Sequence, residues 1–180
     1  MLAQKDQTAV ADRRRGRAAT LTISLLGSVA LAVPSVAKPV PVLVYNASAS
    51  APLGFYRLIR GAPHRSDFVL ARLPSEAARL AAERDYIPAS VPVVKRVAAL
   101  AGDLVCADSG VVVINGRAVA TILLIDHQGR PLPAWKGCRA LADGEVFLLT
   151  EGVAASFDGR YFGPVSTAAI VGKFVPVWTW

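Results

Sequence analysis

The sequence is poor in the residues that most often build metal and nucleophile sites. Its 180 residues hold two cysteines, Cys106 and Cys138, and two histidines, His64 and His127. These four are too few and too scattered for a zinc centre, so no metal and no cofactor are expected. Both histidines lie in polar, loop-like stretches, which leaves a Ser-His-Asp triad unsupported. Charged residues make up only 18% of the chain, and no internal repeat or low-complexity tract is visible. What remains is a length suited to one domain with a genuine core.

The net charge of +7 is unevenly spread. Residues 1–17 carry Lys5, Arg13, Arg14, Arg15 and Arg17 against Asp6 and Asp12. The densest cluster, Arg13 to Arg17, sits just before an apolar run, as in a targeting signal, so no nucleic-acid partner is expected. From Ala18 to Ala37 no residue is charged. This segment reads either as a membrane span, or as a secretory signal with Ser35-Val36-Ala37 ahead of a cut before Lys38. Both readings keep the arginines in the cytoplasm and export residues 38–180. The expected organisation is therefore 1–37 as basic region plus hydrophobic signal or anchor, and 38–180 as a periplasmic domain. In an oxidising compartment Cys106 and Cys138 are expected to pair, two buried free thiols being the alternative.

The exported part reads as mainly β. Prolines forbid a helix over 39–45, and Asn46 to Gly54 is a loop of small residues. Strands are expected at 55–59 and 67–73. Ser75 is placed as the N-cap of a helix over 76–84. Alternation over 91–99 sets Val91, Val93, Lys95, Val97 and Ala99 on one face of a strand. Asn115-Gly116 between 111–114 and 117–120 is a type I′ hairpin signature. Further strands are expected near 104–106, at 145–150 and over 169–177.

Lys95 stands out on physical grounds alone. On a buried face its ammonium loses hydration, its pKa falls, and the neutral amine becomes a possible general base. On an edge strand the same lysine would reach solvent, and the pattern leaves both readings open. Ser50 lies in Asn46-Ala-Ser-Ala-Ser-Ala-Pro-Leu-Gly54, which taken alone is an ordinary loop. With no histidine placed to help, a lysine is the remaining group that can activate a serine.

Three segments together resemble the type I signal peptidase superfamily: Ser50-Ala-Pro-Leu-Gly-Phe-Tyr56, Val94-Lys95-Arg-Val-Ala-Ala-Leu-Ala-Gly-Asp103 and Ser156-Phe-Asp-Gly-Arg-Tyr-Phe-Gly-Pro164. They occur in the family's order, and the likeness spans residues 38–180. Residues 46–56 are most similar to the TraF branch of conjugation systems, with its pattern Asn-x-(Ser/Thr)-x-Ser-x-Pro-x-Gly-x-Tyr. Departures from the wider family are Ala51, where methionine is usual, and Glu151 to Ala155, where Gly-Asp-Asn is usual.

The resemblance implies a signal-peptidase-like (LexA-like) β fold with one or two short helices behind an N-terminal hydrophobic helix. It implies Ser50 as nucleophile and Lys95 as its general base. The Ser50 amide and the Ser48 hydroxyl would form the oxyanion hole, and Ser156 would hydrogen-bond the lysine. Asp158 and Arg160 would be a charged pair behind the site, although by themselves they read as an exposed ion pair in a surface turn. The implied activity is processing of an exported pilin precursor, with cyclisation as the other outcome open to the same acyl-enzyme. Other components of the mating-pair or type IV secretion apparatus, and the inner membrane, would be partners. A general signal peptidase I and a non-catalytic assembly factor are the alternatives.

Overall fold

An alternating run in the middle of the chain becomes an interior strand of a mainly β domain. The computed structural model describes residues 2–37 and 40–180, with side-chain surroundings for 16–33 and 40–180. The strands are β1 Leu43–Asn46, β2 Gly54–Ile59, β3 Phe68–Ala71, β4 Val93–Leu100, β5 Leu104–Asp108, β6 Val111–Ile114, β7 Arg117–Thr121, β8 Gly137–Ala140, β9 Glu145–Leu149, β10 Val165–Ser166 and β11 Ile170–Thr179. The helices are α1 Leu2–Ala37, α2 Ser75–Glu83 and the single turn α3 Gly159–Phe162.

Two units divide the chain near residue 40. The first is α1, whose window Gly16–Val33 has a mean hydropathy of 1.5 over 18 residues, long and apolar enough to cross a membrane. Its large side chains, Leu21 to Val33, are exposed. The second unit, residues 41–180, holds two sheets. One has seven strands in the order β1-β2-β11-β3-β4-β9-β10, and the other has four in the order β7-β6-β5-β8. The last strand, β11, lies between β2 and β3, so the chain end completes the large sheet.

Apolar alternation fixes the register. Val69, Val97, Val146 and Leu148 are essentially fully buried in one core cluster. Val105, Val112 and Ile114 of the small sheet are clustered with Phe147 and Leu149 of the large one. Each such side chain contributes about 1.5–3 kcal/mol by leaving water. The expected hairpin is present: Ile114 pairs with Arg117, and Asn115 and Gly116 both take positive φ. Ser75 is not the cap of α2. It is the first helical residue, and Pro74 holds the cap position without a side-chain hydrogen bond. The Pro74 carbonyl starts the helical ladder by accepting from Ala78, a role that needs no N–H from proline.

Cys106 and Cys138 are joined in a disulfide, and they face each other directly across β5 and β8. The bond ties a strand that pattern reading leaves out, β8, to the core strand β5. Closing a loop of this length is worth about 3.7 kcal/mol on the chain-entropy estimate. Reduction with dithiothreitol is expected to lower the thermal midpoint by about 10 °C. Calorimetry on oxidised and reduced protein checks this, and coincident melting curves would contradict it.

Candidate active site

The loop carrying Ser50 is the turn between β1 and β2, closed by the pair Asn46 and Gly54. Gly54 has φ of 137°, and a Cβ there would overlap the Trp178 carbonyl of β11. Only glycine fits that corner. Inside the loop, the Asn46 amide donates to the carbonyls of Ser48, Ala51 and Pro52 at 2.8, 3.0 and 3.1 Å. The Tyr56 hydroxyl also donates to Pro52 at 2.8 Å. Ser50 is half-buried at the tip of this frame. Its hydroxyl lies 2.8 Å from that of Ser48. Among the described residues, the Ser50 backbone N–H has no hydrogen-bond partner.

Lys95 projects from β4, across the ladder from Val69. It is 3% exposed, so the alternative of a lysine reaching solvent does not hold. Its Nζ donates to Ser156 Oγ at 2.8 Å. Burial is the main influence on its acidity and lowers its pKa from 10.5 to about 8; the Asp158 charge opposes this and the Arg160 charge adds to it.

Asp158 and Arg160 are not a surface turn, because their side chains are 0% and 1% exposed. Asp158 caps α3 by accepting from the Arg160 N–H and also accepts from the Thr150 N–H at 3.1 Å. Arg160 grips both Asp158 oxygens at 2.8 Å. Its remaining donors reach the carbonyls of Thr121, Val153, Ala154 and Ser156. The segment 153–156 is thereby fixed in front of Lys95.

Ser48, Ser50, Lys95 and Ser156 line one cavity of about 340 Å³. The structure brings these four together without joining them into one chain: Ser50 bonds to Ser48, Lys95 bonds to Ser156, and no Ser50–Lys95 hydrogen bond is formed. Leu73, Val93, Leu123 and Phe157 supply apolar walls. The same cavity is lined by groups to which sequence reading gives no role in the site. Asp126 accepts from the Tyr86 hydroxyl and from Arg130 Nε, and exposed His127 lies beside them. Asn46, which opens the branch pattern, is the other group left without a role by sequence reading. Its signal is local, since an Asn two positions before a Ser can bond that residue's own amide. Among the described residues, no three His, Cys, Asp or Glu side chains come together as metal ligands.

The arrangement has the parts for acyl transfer: a hydroxyl, an amine that is neutral in part near pH 7, and a free backbone N–H. Comparison with known proteins gives a consistent answer. The model of the family "Signal peptidase, peptidase S26" matches residues 15–180. A plasmid transfer protein TraF of Escherichia coli is 34% identical over 145 residues, covering 75% of this chain and 82% of its own. A probable conjugal transfer protein TraF of Sinorhizobium fredii is 31% identical over 185 residues, covering 93% of each. Among solved structures, a signal peptidase I of Enterococcus faecalis is 20% identical and covers 64% of this chain and 98% of its own. The TM-score of that superposition is 0.39.

Proposed function

The chain belongs to the signal peptidase family, peptidase S26, on its TraF branch, and from that premise we propose that it matures an exported conjugative pilin precursor through an acyl-enzyme at Ser50. The observation that carries the reading is a buried lysine with pKa of about 8 in the same cleft as the serine. Lys95 accepts the Ser50 proton as Oγ bonds to the scissile carbonyl carbon. The Ser50 N–H and the Ser48 hydroxyl hold the oxyanion. The C–N bond then breaks, and Lys95 returns the proton to the leaving amine. Water, or the pilin's own N-terminal amine, finally releases the acyl group from Ser50. The amine wins only if it reaches the ester first, which is a matter of proximity.

The proposed location is the periplasmic face of the inner membrane. Arg13, Arg14 and Arg15 before the apolar window Gly16–Val33, and Arg17 at its first turn, support that orientation. Ser156 would orient the lysine, and Asp158 with Arg160 would position Ser156 and its loop.

Mass spectrometry of the pilin from cells carrying the wild-type chain or Ser50→Ala tests the reading. The expected result is mature pilin in the first and unprocessed precursor in the second. A mature mass one water below the linear product identifies cyclisation. Normal pilin and normal mating with both Ser50→Ala and Lys95→Ala would leave a non-catalytic assembly role. Accumulation of many unprocessed preproteins would point to a general signal peptidase.

A further inference from the structure

We propose that Asn46 is a positioning residue for this reaction, holding the Ser48 hydroxyl ready to turn onto the oxyanion; the inference rests on the serine-peptidase reading of the same site. Asn46 is the last residue of β1 and is 6% exposed. Its carboxamide can face only one way. The Nδ2 group donates to three loop carbonyls, of Ser48, Ala51 and Pro52, where an oxygen would be repelled. That fixes Oδ1 toward Ser48, whose N–H and hydroxyl approach it at 3.4 and 3.2 Å.

A serine hydroxyl has a single proton to donate. Asn46 Oδ1 can only accept, so the Ser48 proton points to it. Ser48 Oγ is then left to accept from Ser50 at 2.8 Å. The three side chains form a one-way relay, from Ser50 to Ser48 to Asn46. When Ser50 gives its proton to Lys95, Ser48 loses that donor. Its own proton is then held only by a neutral amide oxygen at 3.2 Å. An oxyanion is the stronger acceptor, because hydrogen bonds to a charged partner are shorter and roughly twice as strong. The Ser48 proton therefore turns from Asn46 to the substrate as charge develops, and turns back when the tetrahedral intermediate collapses. Asn46 thus acts at a distance from the reacting atoms. It sets the resting direction of one oxyanion donor and, through the three carbonyls, the height of the loop that presents Ser50.

The test uses the full chain in detergent and p-nitrophenyl N-acetyl-alaninate as acyl donor, with Ser50→Ala as blank. Asn46→Ala should lower kcat by roughly 10- to 100-fold, short of the ~10²–10³ for outright loss of an oxyanion donor. KM should stay within about twofold, and the midpoint of the pH profile should not move, because Lys95 is untouched. In the Ser48→Ala background, Asn46→Ala should cost clearly less than in the wild-type chain, because the hydroxyl that Asn46 orients is gone and only its bonds to the loop backbone remain to be lost. Asn46→Ser, with one short donor, should fall between alanine and wild type; should Asn46→Ala not fold, the same cycle is run with Asn46→Ser. Fully multiplicative losses, a loss confined to KM, or a moved midpoint would overturn the proposal and leave Asn46 a structural brace. Absence of any Ser50-dependent release from the wild-type chain would instead remove the peptidase reading itself.

Discussion

Lys95→Met is expected to abolish turnover, by at least ~10³-fold, while the domain stays folded and, at neutral pH, no less stable. On the proposed mechanism the rate loss follows from removing the base that takes the Ser50 proton; general bases typically contribute ~10²–10⁴. At pKa of about 8, roughly a tenth of the molecules hold a neutral lysine at pH 7. An unperturbed lysine would be neutral about 300-fold less often. The wild-type rate should accordingly rise through pH 8 and level off about one unit above. A profile flat from pH 6 to 10 would show that Lys95 is not the titrating base.

The same burial has a stability consequence of defined sign. The folded-state pKa lies below the unfolded value, so between about 8 and 10.5 the unfolded chain holds a proton that the folded one lacks. Stability therefore rises with pH across that window. It is lost as pH falls toward 8, by roughly 3 kcal/mol, and is flat below. Methionine, similar in volume and uncharged, removes that dependence. Urea titrations of wild type and Lys95→Met at pH 7 and 10 should differ mainly at pH 7, with the variant the more stable. A variant clearly less stable at pH 7 would mean that the Ser156 hydrogen bond outweighs the desolvation of the ammonium.

How much of this was readable before the fold was known depends on how local each determinant is. Lys95 is flanked by Val93 and Val97, and strand periodicity alone sets it on an apolar face. Burial of that face could be settled only by β9 and the 153–156 loop, brought from about fifty residues away. The Asn115-Gly116 turn is wholly local and was legible. Strand β8, with the exposed sequence Gly-Cys-Arg-Ala, has no apolar pattern and owes its existence to pairing with β5 and to the disulfide. The insertion of β11 between β2 and β3 is likewise a long-range choice that no window of sequence records. Ser50 was visible only through a family pattern, because a small-residue loop has no periodicity. Asp158 and Arg160 were least legible. Gly159 between them reads as a solvated turn, whereas their burial is created by carbonyls from Thr121 and residues 153–156.

That pair gives the second large expectation. Arg160→Met should cost about 3–5 kcal/mol, because it strands the Asp158 carboxylate in a buried site. It also withdraws donors from four carbonyls, three of which hold the segment carrying Ser156. Ser156 Oγ would no longer be fixed 2.8 Å from Lys95 Nζ. The Arg160 charge helps to lower the lysine pKa, while Asp158 raises it. Without the arginine the midpoint of the activity profile should therefore move to higher pH, which a general loss of stability would not cause. Arg160→Lys should not rescue, since a lysine cannot supply a bidentate fork and four further hydrogen bonds together. Arg160→Met combined with Asp158→Leu should regain much of the stability, as replacing a whole buried pair often does. It should not regain activity, because Thr150 N–H and the 153–156 carbonyls stay unheld. Equilibrium urea unfolding and pH–rate profiles of these variants measure both effects. An Arg160→Met protein within about 0.5 kcal/mol of wild type, with an unmoved midpoint, would show that the pair neither supports the fold nor tunes Lys95.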